Sequence, residues 1–307
     1  MIRLGLCCLF RTEPIRFRRT TATYAAKLPP ERRAERMAEI CLHNARSLLA
    51  ALTFCYHNGI GAFRINSQIL PLKTHPEAGY AVEDLPGGKD IIAAFKQCGA
   101  YARRHNVRTS FHPDQFIVLS SPRQDVVTRS VGELCYHAQV ASWVNADVIN
   151  IHGGGAYGDK TAALQRLAAA VGRLPTDVRS LLTLENDDRI YTPRDLLGVC
   201  RETGVPLVYD VHHHRCLPDG IAVEKTTRLA AATWNREPLF HVSSPLWGWK
   251  NDNPRNHHDF IDPDDFPPCW LDYDLTVDVE AKAKELAVLR LKKQLESCFR
   301  PAPQAGE

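Results

Sequence analysis

The sequence lacks the features of a membrane protein and of a disulfide-stabilised protein. No run approaches the roughly 20 apolar residues that a membrane span needs, and the N-terminal segment carries Arg3, Arg11 and Glu13. None of the ten cysteines belongs to a Cys-x-x-Cys pair, so neither a disulfide framework nor a thiolate zinc site is expected. Because no signal-peptide pattern is present, we expect a cytoplasmic protein with buried, reduced thiols and no membrane partner.

The chain also has little net charge, no internal repeat and no low-complexity segment. Its 38 basic and 35 acidic side chains give a formal charge of +3, which by itself does not predict a polyanionic partner. A local run at Arg16, Arg18 and Arg19 could still contact phosphates, although such runs are most often solvated faces. The 44% hydrophobic and 24% charged residues are typical of a globular protein.

Short apolar segments alternate with longer helical stretches along the chain. The predicted strands are Ile2–Cys7, Ala62–Ile65, Val107–Phe111, Asp147–Ile151, Leu181–Leu184, Leu207–Tyr209, Leu239–Val242 and Asp274–Val277. The predicted helices are Glu31–Tyr56, Lys89–His105, Asp125–Trp143, Lys160–Arg173, Arg194–Thr203, Val223–Trp234 and Glu280–Ser297. Eight such units predict an α/β protein with one closed (β/α)8 barrel, a TIM barrel, over residues 1–298.

Two segments depart from this alternation. Residues 243–272 hold five prolines and three tryptophans, which predicts a long functional loop rather than a domain boundary. The tail at 299–307 is predicted to be disordered.

Histidines and carboxylates follow most of the predicted strands. They are His112, His152, Glu185, Asp210, His213, His241 and Glu280. The carboxyl ends of parallel barrel strands share one face, so these side chains should converge in one active site there. Imidazole and carboxylate groups are what divalent metals with oxygen and nitrogen ligands require. The pattern therefore predicts a metal cluster.

Several motifs allow two interpretations. In Asp210-Val211-His212-His213-His214 only some side chains can ligate, and Asp187 and Asp188 after Glu185 fit turn-capping groups. The glycines after His152 either approach an anion through backbone N–H groups or form a plain turn. Phe116, with Gln115, either enters a distorted duplex or packs in the core. Trp247 and Trp249 either stack on bases or form a local cluster.

Eight segments in order resemble the UV damage endonuclease family, which shares its barrel architecture with endonuclease IV and xylose isomerase. The segments are Thr-His-Pro at 74–76, Thr-Ser-Phe-His-Pro-Asp-Gln-Phe at 109–116, Ile-Asn-Ile-His-Gly-Gly-Gly-Ala-Tyr-Gly at 149–158, Thr-Leu-Glu-Asn-Asp-Asp at 183–188, Tyr-Asp-Val-His-His at 209–213, His-Val-Ser-Ser-Pro at 241–245, His-His-Asp-Phe-Ile-Asp at 257–262 and Val-Glu-Ala-Lys-Ala-Lys-Glu at 279–285. The resemblance runs from about Ile2 to about Leu295.

This resemblance implies a metal-dependent DNA repair endonuclease that cuts double-stranded DNA immediately 5′ to cyclobutane pyrimidine dimers and 6-4 photoproducts, with abasic sites as a further substrate. The products would be a 3′-hydroxyl and a 5′-phosphate. Two or three divalent ions, normally Mn²⁺, would serve the multi-metal phosphoryl-transfer scheme. No organic cofactor is expected, and the chain is expected to be a monomer.

The resemblance also assigns roles to residues. Glu185 would bridge two ions, His112 and His152 would complete one of them, and Asp210, His241 and Glu280 the other, while His213 and His257 would hold a third. Of these ligands, Glu185, His112, His152, Asp210 and Glu280 are the predicted catalytic residues. Gln115 and Phe116 match the lesion probes of the family. Candidates for contact with DNA phosphates are His75, Tyr157 and Lys160.

Two positions depart from the family pattern. Leu239 stands where the family typically carries a lysine, reported to be carboxylated and to help hold metal, and a leucine cannot ligate. Leu6, Cys7, Cys8 and Leu9 occupy a region where the family places an aromatic and a polar residue near the lesion. Leu239 leaves open a lesion-binding protein with impaired catalysis. A sugar isomerase or sugar-phosphate enzyme on the same barrel is a second alternative, because the metal ligands alone would suit either chemistry.

Overall fold

The computed structural model describes residues 1–114 and 116–298. Its eight strands all run parallel and form a nearly closed barrel. They are β1 (Ile2–Cys7), β2 (Ala62–Ile65), β3 (Arg108–Phe111), β4 (Ala146–His152), β5 (Leu182–Glu185), β6 (Leu207–Val208), β7 (Leu239–Val242) and β8 (Leu275–Val279). The predicted (β/α)8 fold is confirmed. Gln115 and the tail 299–307, for which a probe role and disorder were expected, lie outside the described residues.

Helices surround the strands. They are α1 (Ala22–Ala26), α2 (Pro30–His57), α3 (Gly88–Arg104), α4 (Gln124–Val144), α5 (Lys160–Gly172), α6 (Thr176–Leu181), α7 (Pro193–Thr203), α8 (Val211–Cys216), α9 (Val223–Ala231) and α10 (Glu285–Cys298). Short 3-10 turns lie at Val82–Asp84, Pro263–Asp265 and Pro268–Asp272. Within the described ranges, no helix is long and apolar enough to cross a membrane.

The ends of α7 show how local sequence sets the helix bounds. Thr192 accepts a hydrogen bond from the Asp195 N–H, and the Asp195 carboxylate accepts one from the Thr192 N–H, so the two residues form a capping box. Pro193 opens the first turn, where a missing N–H costs nothing. Gly204 ends the helix with φ of 73°, a left-handed conformation that glycine adopts without a Cβ penalty.

The barrel is closed less tightly between β6 and β7 than elsewhere. In the described part of the chain these two strands are joined by a single bridge between Asp210 and His241 rather than by a ladder. The His241 N–H donates to the Tyr209 carbonyl oxygen at 3.0 Å. This seam lies at the carboxyl ends of both strands, on the face that carries the predicted active site.

The interior of the barrel changes character along its axis. Arg108 lies near the amino-terminal end and pairs with Asp147 at 3.0 Å. In the middle, Val148, Val208 and Leu239 form an apolar cluster, and the partly buried Trp234 packs against it. This cluster is the apolar floor of the barrel, and the histidines and carboxylates at the carboxyl ends of the strands lie above it.

Candidate metal centre

Glu185 is the centre of the site. It is the last residue of β5 and is fully buried, and imidazole groups surround its carboxylate. His112 Nε2 lies 2.9 Å from Oε2, while His241 Nδ1 lies 3.1 Å and His213 Nδ1 3.4 Å from Oε1. His152 Nε2 is 3.9 Å from Oε2. Residues from β3, β4, β7 and α8 therefore converge on one carboxylate, as the strand-end pattern predicts.

Two further carboxylates complete the cluster. Glu280 directly follows β8, and its Oε1 lies 3.3 Å from His241 Nδ1. Asp210 follows β6 and caps α8, because its side chain accepts a hydrogen bond from the His213 N–H at 2.7 Å. This cap turns the chain into a helix at once and directs His213 toward Glu185. The capping geometry explains why His213, and not His212, joins the cluster.

The ligand-type atoms form three overlapping groups that could each hold a metal ion. The groups are His112 with His152 and Glu185, His112 with His241 and Glu280, and Glu185 with Asp210 and His213. Within each group the candidate ligand atoms lie within 4.8 Å of one another. His257 belongs to none of the three, but its Nδ1 is 3.7 Å from Glu280 Oε2, so it borders the cluster.

The electrostatics of the cluster fit a bound cation. Burial alone would raise the pKa of Glu185, but the surrounding imidazoles outweigh it and hold that pKa well below its usual range. Burial raises the pKa of Asp210, whose buried Oδ2 has no hydrogen-bond partner in the described structure. Burial lowers the pKa of His152. Burial alone would lower the pKa of His213, but the carboxylates of Asp210 and Glu185 raise that pKa well above its usual range. Carboxylate oxygens and imidazole nitrogens are the ligand set of divalent metals, and the unpartnered Asp210 Oδ2 is free to ligate, so the residues present fit such ions.

The electrostatics differ at His241. Burial alone would lower its pKa, but the carboxylates of Glu185 and Glu280 outweigh burial and raise the pKa to about 9. In the absence of a cation, an imidazolium at this position balances the two carboxylates. A divalent ion would do the same and would displace the proton, because only the neutral ring ligates.

Three residues of the centre were missed by the sequence analysis. Arg64 on β2 contacts Glu280 through Nη1, Asn150 on β4 donates to Glu185 Oε2, and Asp278 on β8 lies beside His241. Each is a polar residue with an apolar residue on either side of it in its strand. That pattern was the available signal, since an inward-facing polar residue in a barrel strand needs a partner.

The candidate DNA contacts lie on the same face but outside the cluster. Phe116, on the loop after β3, is 80% exposed, which contradicts the interpretation as a core residue. His75 Nδ1 accepts hydrogen bonds from the N–H groups of Glu77 and Ala78. Lys160 pairs with Asp195, and the Tyr157 ring, half exposed, lies beside Arg166. Phe116 is therefore the most projecting aromatic of the described chain at this face.

The two tryptophans of the long loop have different environments. Trp249 donates from Nε1 to Asp265 Oδ1 at 2.7 Å, packs on His212 and lies under the Arg215 guanidinium, so it belongs to a local cluster. Trp247 is 67% exposed and remains available for stacking. Of the neighbouring histidines, His214 is structural, because it bonds Tyr209 and Asp219.

Comparison with known proteins shows the family of the chain. The family model described as UV-endonuclease UvdE matches residues 2–303. The chain belongs to the UvdE family. A UvdE relative, the UV DNA damage endonuclease of Bacillus velezensis, is 34% identical over 94% of this chain and 91% of its own length.

Solved structures agree on the fold. The crystal structure of SacUVDE superposes with a TM-score of 0.86 at 24% identity, over 98% of this UvdE chain and all of that chain. Endonuclease IV from Thermus thermophilus gives a TM-score of 0.62 at 14% identity, over 96% of this chain and 99% of that one. The predicted family and barrel are confirmed.

Proposed function

We propose that this UvdE chain is a divalent-metal endonuclease that cuts one strand of duplex DNA immediately 5′ to a UV photoproduct and leaves a 3′-hydroxyl and a 5′-phosphate. The observation that carries the proposal is the buried Glu185 carboxylate with four histidines around it. The relatives named UV DNA damage endonuclease support the substrate class. Abasic sites, which also weaken stacking, are proposed as a second substrate.

The residues of the cluster would hold two or three ions, with Mn²⁺ as the proposed metal. When bound, such ions supply positive charge for the phosphate and lower the pKa of water. Asn150 fixes the orientation of Glu185, and Thr183 in turn donates to Asn150 at 3.0 Å. The Arg64 guanidinium adds a fixed positive charge beside Glu280. These contacts hold the carboxylates in place before any substrate arrives.

Lesion recognition is proposed to rest on the protruding loops rather than on the cluster. Phe116 lies four residues after His112, so its exposed ring projects next to the centre. An apolar ring at this position can take the space of an unstacked base, and such a probe selects for distortion rather than for one adduct. The exposed Arg16, Arg18 and Arg19 follow β1 on the same face and are proposed to contact phosphates.

A nicking assay tests the proposal. A labelled duplex with one thymine photoproduct is incubated with Mn²⁺, with a chelator, and beside undamaged and abasic duplexes. We expect Mn²⁺-dependent cutting just 5′ to the lesion, with a 3′ end that a polymerase extends without prior phosphatase treatment. Tight lesion binding without cutting would indicate the impaired protein expected from Leu239. No preference for damaged over intact DNA, in binding or in cutting, would favour the sugar enzyme.

Glu185→Gln is the decisive variant. Removal of the central negative charge should lower the nicking rate at least 100-fold while the circular dichroism spectrum stays unchanged. The matched control is Glu237→Gln, which breaks a partly buried ion pair with Arg3 at the opposite end of the barrel. Nicking by Glu185→Gln at the rate of Glu237→Gln would contradict the assignment of Glu185.

A further inference from the structure

Asp278 is a buried carboxylate beside the metal centre that belongs to none of the three ligand groups. It lies on β8, is 1% exposed, and neither of its oxygens has a hydrogen-bond partner among the described residues. Burying a carboxylate costs several kcal/mol unless a donor or a charge compensates it. A group kept under such conditions calls for a specific partner.

The strand register places that partner next to it. In the parallel pairing of β7 with β8, His241 stands opposite Asp278. The two nitrogens of His241 face different carboxylates: Nδ1 lies 3.1 Å from Glu185 and 3.3 Å from Glu280, whereas Nε2 lies 3.8 Å from Asp278 Oδ2. Nε2 is buried and has no hydrogen-bond partner in the described chain. The far nitrogen of a candidate ligand therefore points at the unpaired carboxylate.

Arg64 is the other cation near Asp278, but it is already engaged. Its Nη1 is 4.0 Å from Asp278 Oδ2 and makes its close contact with Glu280 instead. Gly5 on β1 leaves the space that Asp278 occupies, because a Cβ at position 5 would come within 2.1 Å of Asp278 Oδ1. The carboxylate is thus held in a fitted space between β1 and β7.

We propose that Asp278 is a positioning residue that accepts a hydrogen bond from the Nε2–H group of His241. This hydrogen bond keeps the Nδ1 lone pair directed at the metal centre. A metal-ligating histidine commonly gives its other N–H to a carboxylate, which fixes the tautomer and the ring orientation. The inference rests on the proposed function only in requiring that a divalent ion binds at the group formed by His112, His241 and Glu280.

The position of Asp278 separates this role from direct ligation. Its Oδ2 lies on the Nε2 side of the ring, whereas Glu185 and Glu280 lie on the Nδ1 side. Asp278 therefore acts through His241. Asp278→Asn keeps the volume of the side chain and removes its negative charge. It therefore weakens the acceptor that faces His241 with little change in packing.

The test measures Mn²⁺ binding without DNA, by the electron paramagnetic resonance signal of free Mn²⁺, together with the melting temperature of the metal-free protein. For Asp278→Asn we expect 10- to 100-fold weaker Mn²⁺ binding. We expect little change in the melting temperature of the metal-free protein, since the substitution keeps the volume of the side chain. In nicking assays the Mn²⁺ concentration for half-maximal rate should rise more than the saturated rate falls. Asp147→Asn, near the amino-terminal end of the barrel, is the control and should keep the wild-type affinity.

The outcomes distinguish this inference from the proposed function. Mn²⁺ affinity of Asp278→Asn within twofold of wild type, in a protein that binds Mn²⁺ and nicks damaged DNA, would overturn the role of Asp278 alone. A lower melting temperature with unchanged affinity would assign Asp278 to structure and would also overturn it. A wild-type protein that binds no Mn²⁺ would overturn both proposals.

Discussion

His137, a buried histidine outside the metal centre, carries a pH dependence of its own. It lies on α4 at 2% exposure, its Nδ1 bonds the Glu133 carbonyl at 2.8 Å, and Nε2 has no partner in the described structure. Burial lowers its pKa from 6.5 to about 4. The folded state therefore holds His137 neutral at a pH at which the unfolded chain already binds a proton.

The sign of the effect follows from that difference. The contribution of His137 to stability is complete above pH 6.5 and is lost as the pH falls toward 4, to a total of about 3 kcal/mol. We expect His137→Phe to lose less unfolding free energy than wild type between pH 7 and pH 4, measured in urea. His57→Phe, at an exposed position, controls for the loss of one histidine. If the unfolding free energies of His137→Phe and wild type fell by the same amount between pH 7 and pH 4, the expectation would be refuted.

The site residues at the ends of strands could be predicted from the sequence, whereas the site residues deeper in the barrel could not. His112, His152 and Glu185 share one face because parallel strands end together, and this follows from sequence periodicity alone. The partners Arg64, Asn150 and Asp278 depend on which neighbour lies across the barrel interior. That information resides in strand register, which one sequence does not contain.

At the scale of elements, the errors in predicted bounds have identifiable causes. β8 was expected to end at Val277, but it continues through Asp278 to Val279, because the buried charge interrupts the apolar run without interrupting the strand. The last helix was expected from Glu280 and begins at Glu285. Lys284 adopts φ of 55°, which breaks a helix at that point. The short helices α6 and α8 have too few residues to show a periodic pattern.

The long loop after β7 gives a matched pair of substitutions. Trp249→Ala should lower the unfolding free energy by about 1–2 kcal/mol, because it removes a hydrogen bond and a cation–π contact. Trp247→Ala should leave stability within about 0.5 kcal/mol and weaken binding to lesion DNA about tenfold, as expected for loss of one stacking contact. Urea unfolding and fluorescence anisotropy measure the two effects. Equal DNA affinity of Trp247→Ala and wild type would show that this ring does not contact the duplex.

At the scale of the molecule, metal binding should be visible as stability. An ion that binds only the folded state, at 100 times its dissociation constant, adds about 2.7 kcal/mol, which in a barrel of this size corresponds to about 5 °C in melting temperature. We expect a chelator to lower the melting temperature of the Mn²⁺-loaded wild type by that amount and to have a smaller effect on Glu185→Gln. Identical melting curves with and without chelator would argue against a tightly held ion.

The fold as a whole was the most predictable level, because eight alternating units leave few architectures other than a barrel. The long segment 243–272 was also predicted correctly as a loop of that barrel. Both predictions depend only on the order of strands, helices and loops along the chain, and that order can be taken directly from the sequence. The departure at Leu239 concerns contacts instead, and the structure places this side chain with Val148 and Val208 in the apolar floor, where it needs no polar partner.

The weak pairing between β6 and β7 gives the metal centre a second role, which is to stabilise the closure of the barrel. Among the described residues, Asp210 and His241 form the single bridge across that seam. Each also belongs to one of the three candidate ligand groups. Ions bound by these residues would hold β6 and β7 together, because the free energy of metal binding also stabilises the folded state. A substitution at either position would then weaken the pairing of these two strands together with metal binding.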